Sequence, residues 1–142
     1  MSLLPPCTNG DYRGARSAPW FLALAAVLTI VPGLIHSFLP DGGAEVIAGL
    51  DLGAQRGLVI QVFAWQGATQ LALGFGMLAV ALRYRPLTPL FLALLILERG
   101  LMTLLAWVLK PGSGHHPPEH YASPVTVVLA MAFLVLSLRP RR

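Results

Sequence analysis

Between Leu87 and Leu109 the sequence runs apolar for 23 residues, and at its midpoint stand two adjacent charged side chains, Glu98 and Arg99. A helix rising ~1.5 Å per residue would carry this stretch across a hydrocarbon core of about 30 Å and leave Glu98 near its midplane. Arg99 is then roughly 15 Å along the axis from Leu109, too far for a snorkelling side chain to reach water. Charges at that depth are expected to find partners inside the protein. The stretch therefore demands neighbouring segments that bring polar groups to the same depth.

Three further apolar runs supply them. They are expected at about Pro19 to Phe38, Leu58 to Leu82 and Tyr121 to Leu138, which makes the fold class all-α, an integral membrane bundle of four transmembrane helices. With 56% hydrophobic and 11% charged residues in 142, the chain has no room for a soluble domain beside four crossings. Residues 1–17 read as a polar cytoplasmic N-terminal segment, 18–138 as the membrane domain and 139–142 as a basic cytoplasmic tail. The first run is longer than a signal-peptide core and is followed by Leu39-Pro40-Asp41, with no small-residue cleavage site, so it is expected to remain as the first span. Between spans 1 and 2, Asp41 is placed to cap a short surface helix containing Glu45 to Leu50.

Basic residues define the orientation. Arg13, Arg16, Arg83, Arg85, Arg139, Arg141 and Arg142 flank the ends that alternating crossings place on one side, while Asp41, Glu45, Asp51 and Glu119 fall on the other. The excess of arginine marks the cytoplasmic face, so both termini are expected in the cytoplasm and the protein in the cell inner membrane. The net charge of +4 is spread over these ends rather than gathered on one helix face, which argues against nucleic acid as a partner. Cys7 is the lone cysteine, so neither an internal disulfide nor a dithiol is available.

Polar residues within the spans are the candidate ligand-binding set: Glu98, Arg99, Gln70, Gln66 and His36. Gly67, Gln70 and Gly74 share one face of span 2, a surface suited to close helix packing with a buried amide. The very short turn Arg83-Tyr84-Arg85-Pro86 makes spans 2 and 3 antiparallel neighbours and sets Gln70 and Glu98 at similar depth, close enough to hydrogen-bond. Glu98 and Arg99 lie about 100° apart around span 3 and are expected to address different neighbours. Gly100, Ala93 and Trp107 form a second face for another span or another subunit. His36, just past Pro32-Gly33, reads first as a helix-end histidine at interfacial water and second as a ligand or proton carrier. His115, His116 and His120 are weak metal candidates, because no established ligand spacing is matched and Pro117-Pro118 stiffens the backbone between them.

The run His36-Ser37-Phe38-Leu39-Pro40-Asp41-Gly42-Gly43, then Ile47-Ala48-Gly49-Leu50-Asp51, a second span with Gln and Gly, and Glu98-Arg99-Gly100 in the third resemble the DoxX-like small bacterial four-helix integral membrane proteins. The resemblance extends from Phe21 to Leu138. It implies a four-helix bundle and, for some relatives, an association with quinone-linked oxidoreductases or redox stress. The residues themselves show no nucleophile–base pair and no phosphate loop, which leans away from an enzyme, and they specify no cofactor. The reading they favour is a non-enzymatic accessory or scaffold subunit in the lipid bilayer, with a membrane protein partner or a second copy of itself. The alternative is a quinone- or small-molecule-binding, or proton-coupled carrier, protein using Glu98 and Arg99.

Overall fold

The computed structural model describes residues 3–111 and 116–140. It has four long helices: α1 (Ser17–Phe38), α2 (Arg56–Arg83), α3 (Thr88–Leu104) and α4 (Pro118–Leu138). Residues Leu105–Leu109 continue α3 as a π-helical turn in which the Lys110 N–H donates to the Leu105 carbonyl at 2.8 Å. All four elements are long and apolar enough to cross a membrane. Large apolar side chains such as Trp20, Leu28, Trp65, Val108 and Val128 are exposed on the outside of the bundle, a dressing that suits hydrocarbon and not water. Pro32 sits inside α1 without ending it.

Pairing of the helices departs from the order of the chain. The main partner of α2 is α1, and that of α3 is α4, whereas α2 and α3 touch sparingly in spite of their short connection. The glycine face of α2 accounts for this. A Cβ built on Gly67 would lie 2.8 Å from the Gly33 carbonyl oxygen, and one on Gly74 would lie 3.3 Å from that of Ala26, so both glycines admit the backbone of α1. The expected neighbourhood of spans 2 and 3 is thus reduced to contacts such as Gly76 against Phe91, near the turn.

The two ends of the bundle differ. At the end marked by Arg16, Arg83, Arg85 and Arg139 the core is solid, with Leu22, Met77, Leu92, Leu95 and Ala130 drawn from all four helices and fully or almost fully buried. The N-terminal segment is tied across this arginine end. Thr8 N–H donates to the Arg83 carbonyl at 3.0 Å, Asn9 Nδ2 to the Leu82 carbonyl at 2.6 Å, and Ala15 N–H to the Leu136 carbonyl at 3.1 Å. At the opposite end, where His36, Asp41 and His120 stand, the helices leave open space.

That end is roofed by the connection between α1 and α2. The expected surface helix over Glu45 to Leu50 is replaced by hydrogen-bonded turns over residues 40–48. Gly42, Gly43 and Gly49, at φ of 62°, 75° and 65°, take left-handed backbone at either side of the segment and confine it to a single turn. Asp41 does cap it, accepting from the N–H groups of Gly43 (2.9 Å), Glu45 (3.1 Å) and Val46 (2.9 Å). Those donors hold its carboxyl below the usual carboxylate range, the Val46 N–H contributing most and the Gly43 N–H next. Glu45 then clamps the start of α2 through a two-pronged pair with Arg56, at 2.9 Å for the shortest contact.

Candidate functional site

Beneath the roof lies a cavity of about 680 Å³. Ile35 and His36 of α1, Ile47 and Ala48 of the connection, Phe63 and Gln66 of α2, Met102 and Ala106 at the end of α3, and Glu119 and His120 of α4 line it. Most of this lining is apolar, with a few convergent polar groups, which is the usual constitution of a small-molecule site. The volume lies inside the range of about 300 to 1,000 Å³ common for such sites. A second, smaller cavity of about 280 Å³ opens between α1 and α4, with Leu95 and Arg99 of α3 in its wall. Pro32, Pro118 and Glu119 line both cavities, so the two meet at that point.

His36 and Glu119 form the polar centre. The His36 ring is buried, stands edge-on to Phe63 at a centroid distance of 5.0 Å, and has Nδ1 2.7 Å from the Gly42 carbonyl oxygen. A carbonyl only accepts, so Nδ1 carries the proton and the ring turns Nε2 toward α4. There Nε2 lies 3.6 Å from Glu119 Oε1, beyond hydrogen-bond reach but close enough for an ion pair when the ring is doubly protonated. His36 does stand in the last turn of α1, as expected, but its ring is buried against Phe63 and not turned out to water. Its partner Glu119 lay in what the sequence presents as an outer loop. The available signal was Pro118, a residue suited to the first turn of a helix, followed by an acidic residue there. One turn of helix carries the carboxylate inward.

Arg99 is held on the other side of this junction. Its side chain is 9% exposed, with Nη2 at 3.4 Å from Thr29 Oγ1, Nη1 at 4.0 Å from Met102 Sδ, and Nε at 3.5 Å from Glu98 Oε2. The approach of Glu98 corrects the expectation that the two charges address different neighbours. Rotamer freedom in long side chains overcomes the 100° between their Cα–Cβ directions, and the fully apolar alternatives around α3 offer neither charge a better partner. Glu98, 25% exposed along its side chain, lines neither cavity.

Gln70 is 3% exposed and sits beside Glu119. It makes no bond to Glu98, and neither its Nε2 nor its Oε1 has a hydrogen-bond partner among the described residues. The same holds for His36 Nε2, Arg99 Nε and Glu98 Oε2. Buried polar atoms are nearly always satisfied, and these, closed to the two cavities as well as unpaired, mark a polar cluster packed behind the cavity walls. Of the five sequence candidates, His36 and Gln66 line the larger cavity, Arg99 the smaller, Gln70 lies against the junction, and Glu98 serves Arg99 from outside.

The two outer histidines among the described residues, His116 and His120, stand in an aromatic cluster. His116 stacks on Trp107 at 4.4 Å, its Nδ1 lies 3.0 Å from His120 Nδ1, and Trp107 Nε1 donates to the His120 carbonyl at 3.0 Å. No group of three or more metal-binding side chains gathers among the described residues. His115 lies outside the described residues.

No family model, curated protein or solved structure matches this chain. The functional reading therefore rests on the site itself.

Proposed function

We propose that this is a multi-pass inner-membrane protein of a bacterial cell that binds a small lipophilic molecule with a polar head, a quinone being one such molecule, in the larger cavity. The observation that carries the reading is the space of about 680 Å³ beneath the roof, with His36 and Glu119 in its wall and facing each other at 3.6 Å. In a protein that only needed to pack, a hollow of this size beside a buried histidine and carboxylate would be filled by apolar side chains. A head group with a carbonyl or hydroxyl would receive a proton donor and an acceptor from the same pair. His36 and Glu119 thus take the role that the sequence alone gave to Glu98 and Arg99, and Arg99 becomes the cation at the cavity's inner limit. Both termini lie in the cytoplasm on this reading, supported by the gathering of arginines at the solid end. The DoxX-like resemblance rests on the residues of the connection, the Gln- and Gly-containing second span and the third span alone.

The test is ligand binding by the full chain purified in mild detergent. Native mass spectrometry should find a copurified molecule, and duroquinone at about 100 times its Kd should stabilise the fold by about 2.7 kcal/mol. Glu119→Gln and His36→Ala should weaken that stabilisation while the protein still folds. Absence of any bound molecule, with no stabilisation by a panel of lipophilic carbonyl compounds, would sink the reading. It would leave the accessory-subunit alternative, which one observation favours: a Cβ on Gly100 would meet nothing within 4 Å among the described residues, and Ala93 and Trp107 on the same side are exposed.

A further inference from the structure

The smaller cavity is a slot with a direction. Leu24 and Leu28 of α1, 55% and 61% exposed, form one lip, and Thr126 and Leu129 of α4 form the other. Phe21, stacked on Phe133 at 4.3 Å, marks its far end toward the solid core. From Phe21 to Pro32 the slot follows α1 for roughly 16 Å, and at Pro32, Pro118 and Glu119 it runs into the larger cavity. Its walls are mostly apolar, and the charged groups among them, Arg99 and Glu119, stand with Thr29 toward the junction, while the Thr126 hydroxyl is turned to the Ala122 carbonyl at 2.9 Å. The open side lies between two helices that would face hydrocarbon, not at the end of the bundle that would face water.

Charge decides what kind of head belongs at the junction. Arg99 already faces Glu98 at 3.5 Å, and His36, when doubly protonated, faces Glu119 at 3.6 Å, so each cation has one carboxylate. A further full charge would enter a low-dielectric site without a counter-ion, which is strongly unfavourable. A neutral head with an acceptor oxygen needs no further counter-ion, and the Arg99 guanidinium in the slot wall carries five N–H donors, more than its contacts to Thr29, Met102 and Glu98 use. Arg99 supplies them beside the slot with a side chain more than nine-tenths buried.

We propose that the slot between α1 and α4 holds the apolar chain of a neutral, carbonyl-headed amphiphile that enters sideways from the bilayer, with its head at the junction of the two cavities. The proposal rests on the ligand-binding reading above and adds the route and the chain. An alkylated quinone and a monoacylglycerol share this chemistry, and the experiment separates them.

Binding is measured on the full chain in lipid nanodiscs with four probes: decylubiquinone, monolaurin, chainless duroquinone, and laurate as the anionic control. With each probe expressed as a mole fraction of the nanodisc lipid, which removes the gain any chain obtains by entering hydrocarbon, wild type should bind one of the two neutral chain-bearing probes several-fold more tightly than duroquinone and laurate. Thr126→Phe, which fills the slot two turns of α4 away from Glu119, should abolish that advantage and leave duroquinone binding as in wild type. A diazirine at the chain terminus of the preferred probe should label α1 or α4 between Leu24 and Leu28 or between Thr126 and Leu129, a result that needs no variant to fold. Equal binding of chain-bearing and chainless probes, labelling elsewhere, or preference for laurate overturns the slot proposal while the cavity reading stands. No binding of any probe overturns both.

Discussion

Glu98 and Arg99 should fail unequally when one is removed. At 3.5 Å and an effective dielectric of about 20, the attraction between them is about 5 kcal/mol before desolvation is subtracted. Glu98→Gln leaves a guanidinium that is 9% exposed, bears a permanent charge, and retains only a 3.4 Å contact to Thr29 and a 4.0 Å contact to Met102 Sδ. A buried charge stranded in this way costs about 3 to 5 kcal/mol. Arg99→Leu leaves instead a carboxyl group that is 25% exposed and can take up a proton, so its cost should be smaller, about 1 to 3 kcal/mol. The double variant removes the stranded charge and should recover 1 kcal/mol or more relative to the sum, about the coupling expected for residues in contact. Equilibrium unfolding in mixed detergent micelles, read by tryptophan fluorescence, gives all four corners of the cycle. If Arg99→Leu proves costlier than Glu98→Gln, or if every corner matches wild type, then Glu98 is not the group that neutralises Arg99.

Three further outcomes follow from the geometry. Gly67→Leu should lose about 1 to 3 kcal/mol by forcing α1 away from α2, whereas Gly100→Ala, with open space around its Cβ, should gain about 0.5 to 1 kcal/mol; destabilisation by Gly100→Ala in the same unfolding assay would mean that a partner covers α3 there. The Asp41 cap depends on pH with a definite sign: the carboxyl's folded value lies below its unfolded value near 3.8, so its contribution is complete above about pH 5 and is lost as pH falls through the folded value. Amide hydrogen exchange within residues 39–55, corrected for its intrinsic pH dependence, should therefore quicken only below about pH 5 in wild type and lose that step in Asp41→Asn; fast exchange already at pH 6 would assign the roof to another group. Reporter fusions after Arg85 and Arg139 should read cytoplasmic and one at Gly43 external, and a cytoplasmic reading at Gly43 would reverse the orientation.

The number and extent of the helices were readable because apolar run length and flanking arginines are local signals, and α1 to α4 begin and end within a few residues of the runs. Helix pairing was not, since it depends on which small-residue face meets which backbone. Gly67 and Gly74 announced a close contact, but whether α1 or α3 would supply it is a long-range choice that a short turn at Arg83 to Pro86 does not settle. The site was half readable for the same reason. His36, Gln66, Gln70 and Arg99 stand out as polar residues in apolar runs, but Glu119 lies in a polar stretch, and only the first turn of α4 brings it to His36.

The tie across the arginine end has a consequence for the order in which the protein is made. Thr8, Asn9 and Ala15 leave the ribosome before any of the four helices, yet their carbonyl partners sit on Arg83 and Leu82 at the end of α2 and on Leu136 at the end of α4. The segment must wait through the synthesis of all four helices before its last hydrogen bond can close. Closure of that end is therefore a late event that records the arrival of α4, while the roof of the hollow end, which bonds to α1 and to the start of α2, can form as soon as two helices are in place.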